Sequence, residues 1–226
     1  MGHGASIQHT FFTLSETVLC DSKASEVTKP MKTLGICGSF REDSNTNKLV
    51  EKVAVSSGCE FELVYLRNME VESCTGCLSC MWTEGQCSIQ DGMQELYDKI
   101  MKADALIIGS PTYYMNVSGV VKCFLDRKFA LYFRGIGPPG SPYTGQRPLA
   151  GRPAVGVITA GETGHEWAME TLRHHFEINQ MNVVGEIVEV VGMNDVNAMP
   201  DVMERAERVG KKLGEMLNLN ESGQQG

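Results

Sequence analysis

Five short apolar runs punctuate the chain from Met31 onward. They are "TLGICG" (33–38), "FELVYL" (61–66), "ALIIGSP" (105–111), "AVGVITAG" (154–161) and "VVGEIVEVVG" (183–192). Runs of this length and continuity predict buried parallel strands, and Pro111 is expected to break the third. Helical spacing fills the gaps. "TNKLVEKVAVSSG" follows Asn45, Met93, Leu96, Tyr97 and Ile100 recur at helical intervals, and "SGVVKCFLDRKFALYF" follows the third run. Trp167, Leu172 and Phe176 mark a fourth helix. Val202, Ala206, Val209, Leu213 and Met216 mark a fifth, with Pro200 suited to its first turn. Strands alternating with helices predict an α/β, doubly wound parallel sheet whose ligands sit at the carboxyl ends of the strands.

Residues 1–30 lack this periodicity and read as an N-terminal arm, closing at Pro30. One domain is expected over 31–220, with a short tail at 221–226 and a Gly- and Pro-rich loop at 134–153. No internal repeat is visible. The 226 residues, 42% hydrophobic, suffice for a full core without staples. No run approaches the ~20 apolar residues of a membrane span, and the amino terminus has no secretory pattern. A net charge of −8 argues against nucleic acid or an anionic membrane as partner. Clustered cysteines then point to metal or redox work in the cytoplasm rather than to a disulfide framework.

Three loops fall at the strand ends. The first, "GSFREDSNTNK" (38–48), sets Ser39, Ser44, Asn45 and Thr46 where a helix begins. Backbone amides and the helix dipole make such a place an anion site, and Arg41 adds a charged fork. It is neither a Walker loop nor GxGxxG. An ordinary N-cap prefers the same residues, so phosphate binding and plain capping both remain open here. The second loop, "SPTYYMNVSG" (110–119), offers Pro111, Thr112, Tyr113, Tyr114 and Asn116, a polar and aromatic set able to flank a flat ring. The third, "TAGETG" (159–164), offers Thr159, Ala160, Gly161 and Gly164, small enough for a planar ligand to reach the backbone. Together the three describe a mononucleotide site.

Cys74, Cys77, Cys80 and Cys87 follow C-x2-C-x2-C-x6-C. A structural zinc site usually joins two CxxC knuckles across a longer spacer, which fits this run poorly. A thioredoxin-type pair needs one CxxC and leaves two cysteines unexplained. Three thiols in close succession and a fourth after a short excursion resemble an iron–sulfur framework, although the ferredoxin run has a shorter last gap and a following proline. Gly76 and Gly85 free the backbone to wrap a compact core.

"GSFREDSNT", "SPTYYMNVSG" and "TAGETG" resemble the FMN-binding loops of the NADPH-dependent FMN reductase superfamily, over about Lys32 to Leu217. With the cysteine run after strand two, the chain resembles the iron–sulfur flavoprotein family. The resemblance implies a flavodoxin-like five-stranded parallel sheet in order 2-1-3-4-5. It implies FMN with its phosphate on Ser39, Arg41, Ser44, Asn45 and Thr46, and its ribityl chain and ring on Pro111, Thr112, Tyr113, Tyr114 and Asn116. Thr159, Ala160, Gly161 and Gly164 lie along the flavin edge. A 4Fe–4S cluster on Cys74, Cys77, Cys80 and Cys87 is implied, with no catalytic acid–base residue required.

Function follows as electron transfer between a one-electron carrier such as ferredoxin and a flavin-reduced acceptor. Flavin loops after strands one, three and four, with the cluster loop after strand two, set the two cofactors apart within one chain, and the resemblance implies a homo-oligomer, dimer or tetramer, that brings them together. The alternatives are a cluster-free NAD(P)H-dependent FMN or quinone reductase and a zinc-stabilised FMN-binding module without catalysis. Among other residues, Cys37 and Cys123 read as core and Cys20 and Cys59 as loop thiols. His174 and His175 read as solvated, and His165 as a neighbour of the third flavin loop.

Overall fold

The computed structural model describes residues 30–134 and 147–223. The arm before Pro30, Cys20 within it, most of the 134–153 loop and the last three residues of the tail lie outside them. Strands β1 (Lys32–Cys37), β2 (Glu60–Tyr65) and β3 (Ala105–Tyr113) are followed by a two-residue β4 (Asn116–Val117), then β5 (Pro153–Ala160) and β6 (Asn182–Val190). Helices are α1 (Asn45–Ser56), α2 (Ser79–Trp82), α3 (Met93–Lys102), α4 (Gly119–Arg127), α5 (His165–Ile178) and α6 (Pro200–Gly223). Short 3-10 segments cover Leu66–Asn68, Lys128–Phe133 and Val196–Ala198.

The parallel strands run in the order β2-β1-β3-β5-β6, the expected order when the five apolar runs are counted alone. The sheet has six strands rather than five, because β4 folds back antiparallel on the end of β3. Nothing as short as Asn116–Val117 carries a periodic signal. Nor does Pro111 end its strand: it pairs with Thr159 of β5. The ladder from β1 to β3 stops at Gly109, so Pro111 stands where β3 has a parallel neighbour on one side only. A residue without an N–H is tolerated at such half-paired positions.

Alternation along the buried strands feeds two cores. Leu34, Ile36, Leu106, Ile108 and Ile158 meet α3, α4 and α5 on one face. Cys37, Ala105, Ile107, Val155 and Val157 meet α1 and α6 on the other. Cys37 is therefore the core residue expected, and burial pushes its thiol up to about 12. The single helix expected over 118–133 instead breaks into α4 and the 3-10 segment Lys128–Phe133. Trp167 marks α5 but leaves its ring exposed, whereas Ala168, Met169, Leu172 and Phe176 form the buried stripe. Only His174 of the expected solvated histidine pair is exposed. His175 turns inward beside Leu172 and Phe176, with Nε2 2.8 Å from Lys128 Nζ.

Candidate functional site

The ends of β1, β3, β5 and β6 surround a cleft of about 330 Å3. Ser39, Arg41, Ser44, Asn45 and Thr46 line it from the first loop, Pro111, Thr112 and Tyr113 from the second, and Thr159, Ala160 and Gly161 from the third. Tyr114, Asn116 and Gly164 stand outside that lining. The side chain of Asn116 is turned toward α5, accepting a hydrogen bond from Thr171 Oγ1 at 2.8 Å. Gly164 has φ of +82°, and a Cβ there would meet Met115 Cα at 2.6 Å, so glycine lets the third loop pass against the β3–β4 turn.

The loops are tied to one another. Thr46 Oγ1 and Thr159 Oγ1 are 2.6 Å apart in a buried contact, and Ser118 Oγ donates to the Gly38 carbonyl at 2.8 Å. Tyr114 and Met115, the two-residue turn between β3 and β4, have φ of +46° and +67°. Neither is a residue that adopts this region readily, and strain of this kind concentrates at functional sites.

Val191, Gly192, Met193 and Asn194 after β6 form a fourth wall that no sequence motif marks. The glycine closing "VVGEIVEVVG" was its available signal, and Gly192 indeed has φ of +56°. Asn45 is committed to this wall: its Nδ2 donates to the Asn194 carbonyl at 2.8 Å and its Oδ1 accepts from the Val196 N–H at 3.0 Å. Ser44 is the α1 N-cap, its side chain accepting from the Asn47 N–H. Lys48 is occupied by Asp43 and Asp195. Arg41 is thus the cation facing the cleft, with its N–H on Ser39 Oγ and its carbonyl receiving Arg67 Nη1. Thr112 Oγ1 is buried in the second loop without a hydrogen-bond partner. A bound ligand with a polar chain would satisfy it, and Gly161 has open space where a side chain would stand. The cleft fits FMN: a cation and helix start for the phosphate, an orphaned hydroxyl, and a bare backbone edge.

The cysteines build a second site. Cys74, Cys77, Cys80 and Cys87 line one cavity of about 540 Å3 between their own loop, α4, the Lys128–Phe133 segment and α5. Gly85, at φ of +82°, lets the loop run against that segment, since a Cβ would meet the Ala130 carbonyl at 2.6 Å. Burial raises the Cys80 thiol, and charge on Cys87, Cys77 and Cys74 raises it further, so the four sulfurs are electrostatic neighbours. Hydrogen bonding from Ser79 and then from Ser88 pulls Cys77 down to about 6, which favours the thiolate, the ligand form. Among the described residues no three His, Cys, Asp or Glu side chains are drawn together so as to hold a metal ion. The donor set, four thiols around one wide cavity, suits a multi-iron core.

Arg127 locks this loop to the fold. Its guanidinium grips Asp91 at 2.6 and 3.0 Å and reaches the carbonyls of Glu72 and Ile89, both at 3.1 Å. Asp91 in turn accepts the N–H groups of Glu72 and Met93. Burial alone would raise the Asp91 carboxyl, but Arg127 and those two N–H groups hold it below its usual value. Cys123, expected in the core, is half-buried on α4 with its sulfur 3.4 Å from Ser73 Oγ. His165 is close to the third loop but pairs with Glu166 at 2.9 Å and is not part of the cleft lining.

Comparison with known proteins gives the family and the fold. The NADPH-dependent FMN reductase family matches residues 31–194. An iron–sulfur flavoprotein of Methanocaldococcus jannaschii is 33% identical over 84% of this chain and 98% of its own length. Another, of Methanosarcina thermophila, is 29% identical over 84% of this chain and 96% of its own length. Among solved structures, an NAD(P)H:quinone oxidoreductase from Methanothermobacter marburgensis superposes with a TM-score of 0.57 at 18% identity, covering 82% of this chain and 98% of that one. An archaeal flavodoxin gives 0.51 at 13% identity, over 83% and 99%. These two likenesses establish the fold, and the family match makes the protein a flavin-dependent oxidoreductase with FMN as its cofactor. The chain belongs to the iron–sulfur flavoprotein family, within the NADPH-dependent FMN reductase superfamily. No helix among the described residues is long and apolar enough to cross a membrane.

Proposed function

We propose that this chain holds FMN in the cleft and a 4Fe–4S cluster on Cys74, Cys77, Cys80 and Cys87, and relays electrons between a one-electron carrier such as ferredoxin and a flavin-reduced acceptor. The observation that carries the reading is that all four thiols line one cavity in a chain that also builds a flavin cleft. When both groups are bound, the flavin supplies one- or two-electron chemistry and the cluster supplies single electrons.

The chain's own residues orient and insulate. Arg41 and the α1 start receive the phosphate, with Ser39, Ser44, Asn45 and Thr46 shaping that end of the cleft. Pro111, Thr112 and Tyr113 receive the ribityl chain and ring, and Thr159, Ala160 and Gly161 present backbone to the flavin edge. Tyr114, Asn116 and Gly164 stand outside the lining, and Gly164 lets the third loop pass against Met115 of the second. Exposed Tyr114, Met115, Trp167 and Met193 near this end of the sheet support burial by a second subunit, so the working form is a homo-oligomer, dimer or tetramer. The thiol-rich cluster loop suits the reducing cytoplasm.

A second reading, direct reduction by NAD(P)H, is favoured by the family match. A Cys80→Ser variant that still binds FMN separates the two. Loss of ferredoxin-dependent flavin reduction, with dithionite reduction intact, supports the relay. Unchanged reduction by ferredoxin contradicts it.

A further inference from the structure

The wall of the cysteine cavity carries a cation without an acid beside it. Lys128, where α4 passes into the 3-10 segment, is 1% exposed. Its Nζ lies 2.8 Å from His175 Nε2 and 5.7 Å from the centre of the Phe124 ring. Burial and then the charge of Arg152 push the Lys128 ammonium down to about 7. Burial and then Lys128 push His175 well below its usual value.

The other charged groups around the cavity have partners of their own, and Arg127 also feels the charge of Cys87. On α4, Lys122 pairs with Asp126 at 2.6 Å, and Arg127 is closed on Asp91. On α5, His174 pairs with Glu170 at 3.3 Å. Arg152 spends its guanidinium on the carbonyls of Ile100, Met101 and Ala103. Tyr132, raised by burial, is a neutral phenol. The four cysteine thiols share the lining of this cavity with Lys128. An ammonium buried without a counterion is costly, and a bound anionic group in the cavity relieves that cost.

We propose that Lys128, hydrogen-bonded to His175, is the built-in countercharge and proton acceptor for an anionic iron–sulfur cluster on Cys74, Cys77, Cys80 and Cys87, an inference that rests on the cluster reading above. One electron from a reduced one-electron carrier adds one negative charge to the cavity. One proton from solvent is then taken on Lys128 Nζ, with His175 Nε2 accepting its hydrogen bond, and the net charge is restored. Oxidation returns the electron to an acceptor and the proton to solvent. Lys128 is a positioning and charge-compensating residue, since it touches no reacting atom.

The test is a spectroelectrochemical titration of the cluster across about pH 6 to 10, the span between ordinary histidine and lysine values. Iron and labile sulfide are measured first on each protein. In the unmodified protein the potential should fall over part of this range, with tenfold in the redox equilibrium per pH unit, about 59 mV for one electron. Lys128→Met should make the cluster at least tenfold harder to reduce at pH 7, again about 59 mV, and flatten the pH dependence. Lys128→Arg keeps the charge without a titrating proton, so it should hold the potential while losing the slope. A protein without iron overturns the cluster reading. An iron-loaded protein whose potential is flat with pH, or a loaded Lys128→Met that matches it, overturns this inference alone. The unmodified protein's profile decides the matter even where a variant does not fold.

Discussion

Arg127 and Asp91 form a two-pronged ion pair closed to solvent, their side chains 0% and 4% exposed. The pair spans the cysteine loop, joining residues on both sides of it to a helix whose other face lies in the core. Tyr97 adds a further tie, donating to the Arg127 carbonyl at 2.8 Å. The loop that presents four thiols is thereby fixed at its ends while its middle stays open to the cavity.

Removing one partner leaves the other buried and uncompensated. Arg127→Met is expected to lower stability by about 3–5 kcal/mol, with amide exchange rising first across residues 72–91. The double variant Arg127→Met/Asp91→Leu should recover part of that loss, because no lone charge remains. Denaturant titration checks both, and an equal loss in single and double variants would show that the charge pairing is not the cause.

The phosphate end of the cleft makes a second expectation. Riboflavin should bind more weakly than FMN, and Arg41→Ala should cost FMN about 1.5–3 kcal/mol while changing riboflavin little. Calorimetric or fluorescence titration reads both constants. Equal affinity for the two flavins would remove the phosphate cradle from the account.

Much of this architecture is legible in the chain because buried parallel strands write themselves as continuous apolar runs. Ser39, Arg41, Ser44, Asn45 and Thr46 reach one cleft because they share one short loop at the end of β1. Single placements fare worse. His174 and His175 are neighbours in sequence, yet about 100° of helical rotation separates a solvated ring from one turned against Lys128. The break at Lys128 and the turn at Tyr114–Met115 come from tertiary contacts that no local pattern encodes. Asp91 and Arg127 lie 36 residues apart, and only the folded chain brings them together. The Val191–Asn194 wall left a faint trace in Gly192 alone.

Lys128 also leaves a signature in the cluster-free protein. Its ammonium is pushed from 10.5 to about 7 in the folded state. Between those values the unfolded chain binds a proton that the folded chain lacks, so stability rises with pH across that window. Below about 7 the folded protein carries the full cost of the buried charge. Cluster-free Lys128→Met should accordingly be more stable than the parent at pH 7, with the advantage shrinking as pH approaches about 10. Urea midpoints measured across that range provide the check, and a constant difference would mean that Lys128 does not titrate there.

If one chain carries both redox groups, cofactor stoichiometry must show it. Protein purified without oxygen should contain about one FMN and about four iron and four labile sulfide per chain, as expected of one site of each kind. Serine at Cys80 should abolish the iron while sparing the flavin, and Cys37→Ser should leave both unchanged. One FMN per chain with no labile sulfide, or with zinc in place of iron, would contradict the account.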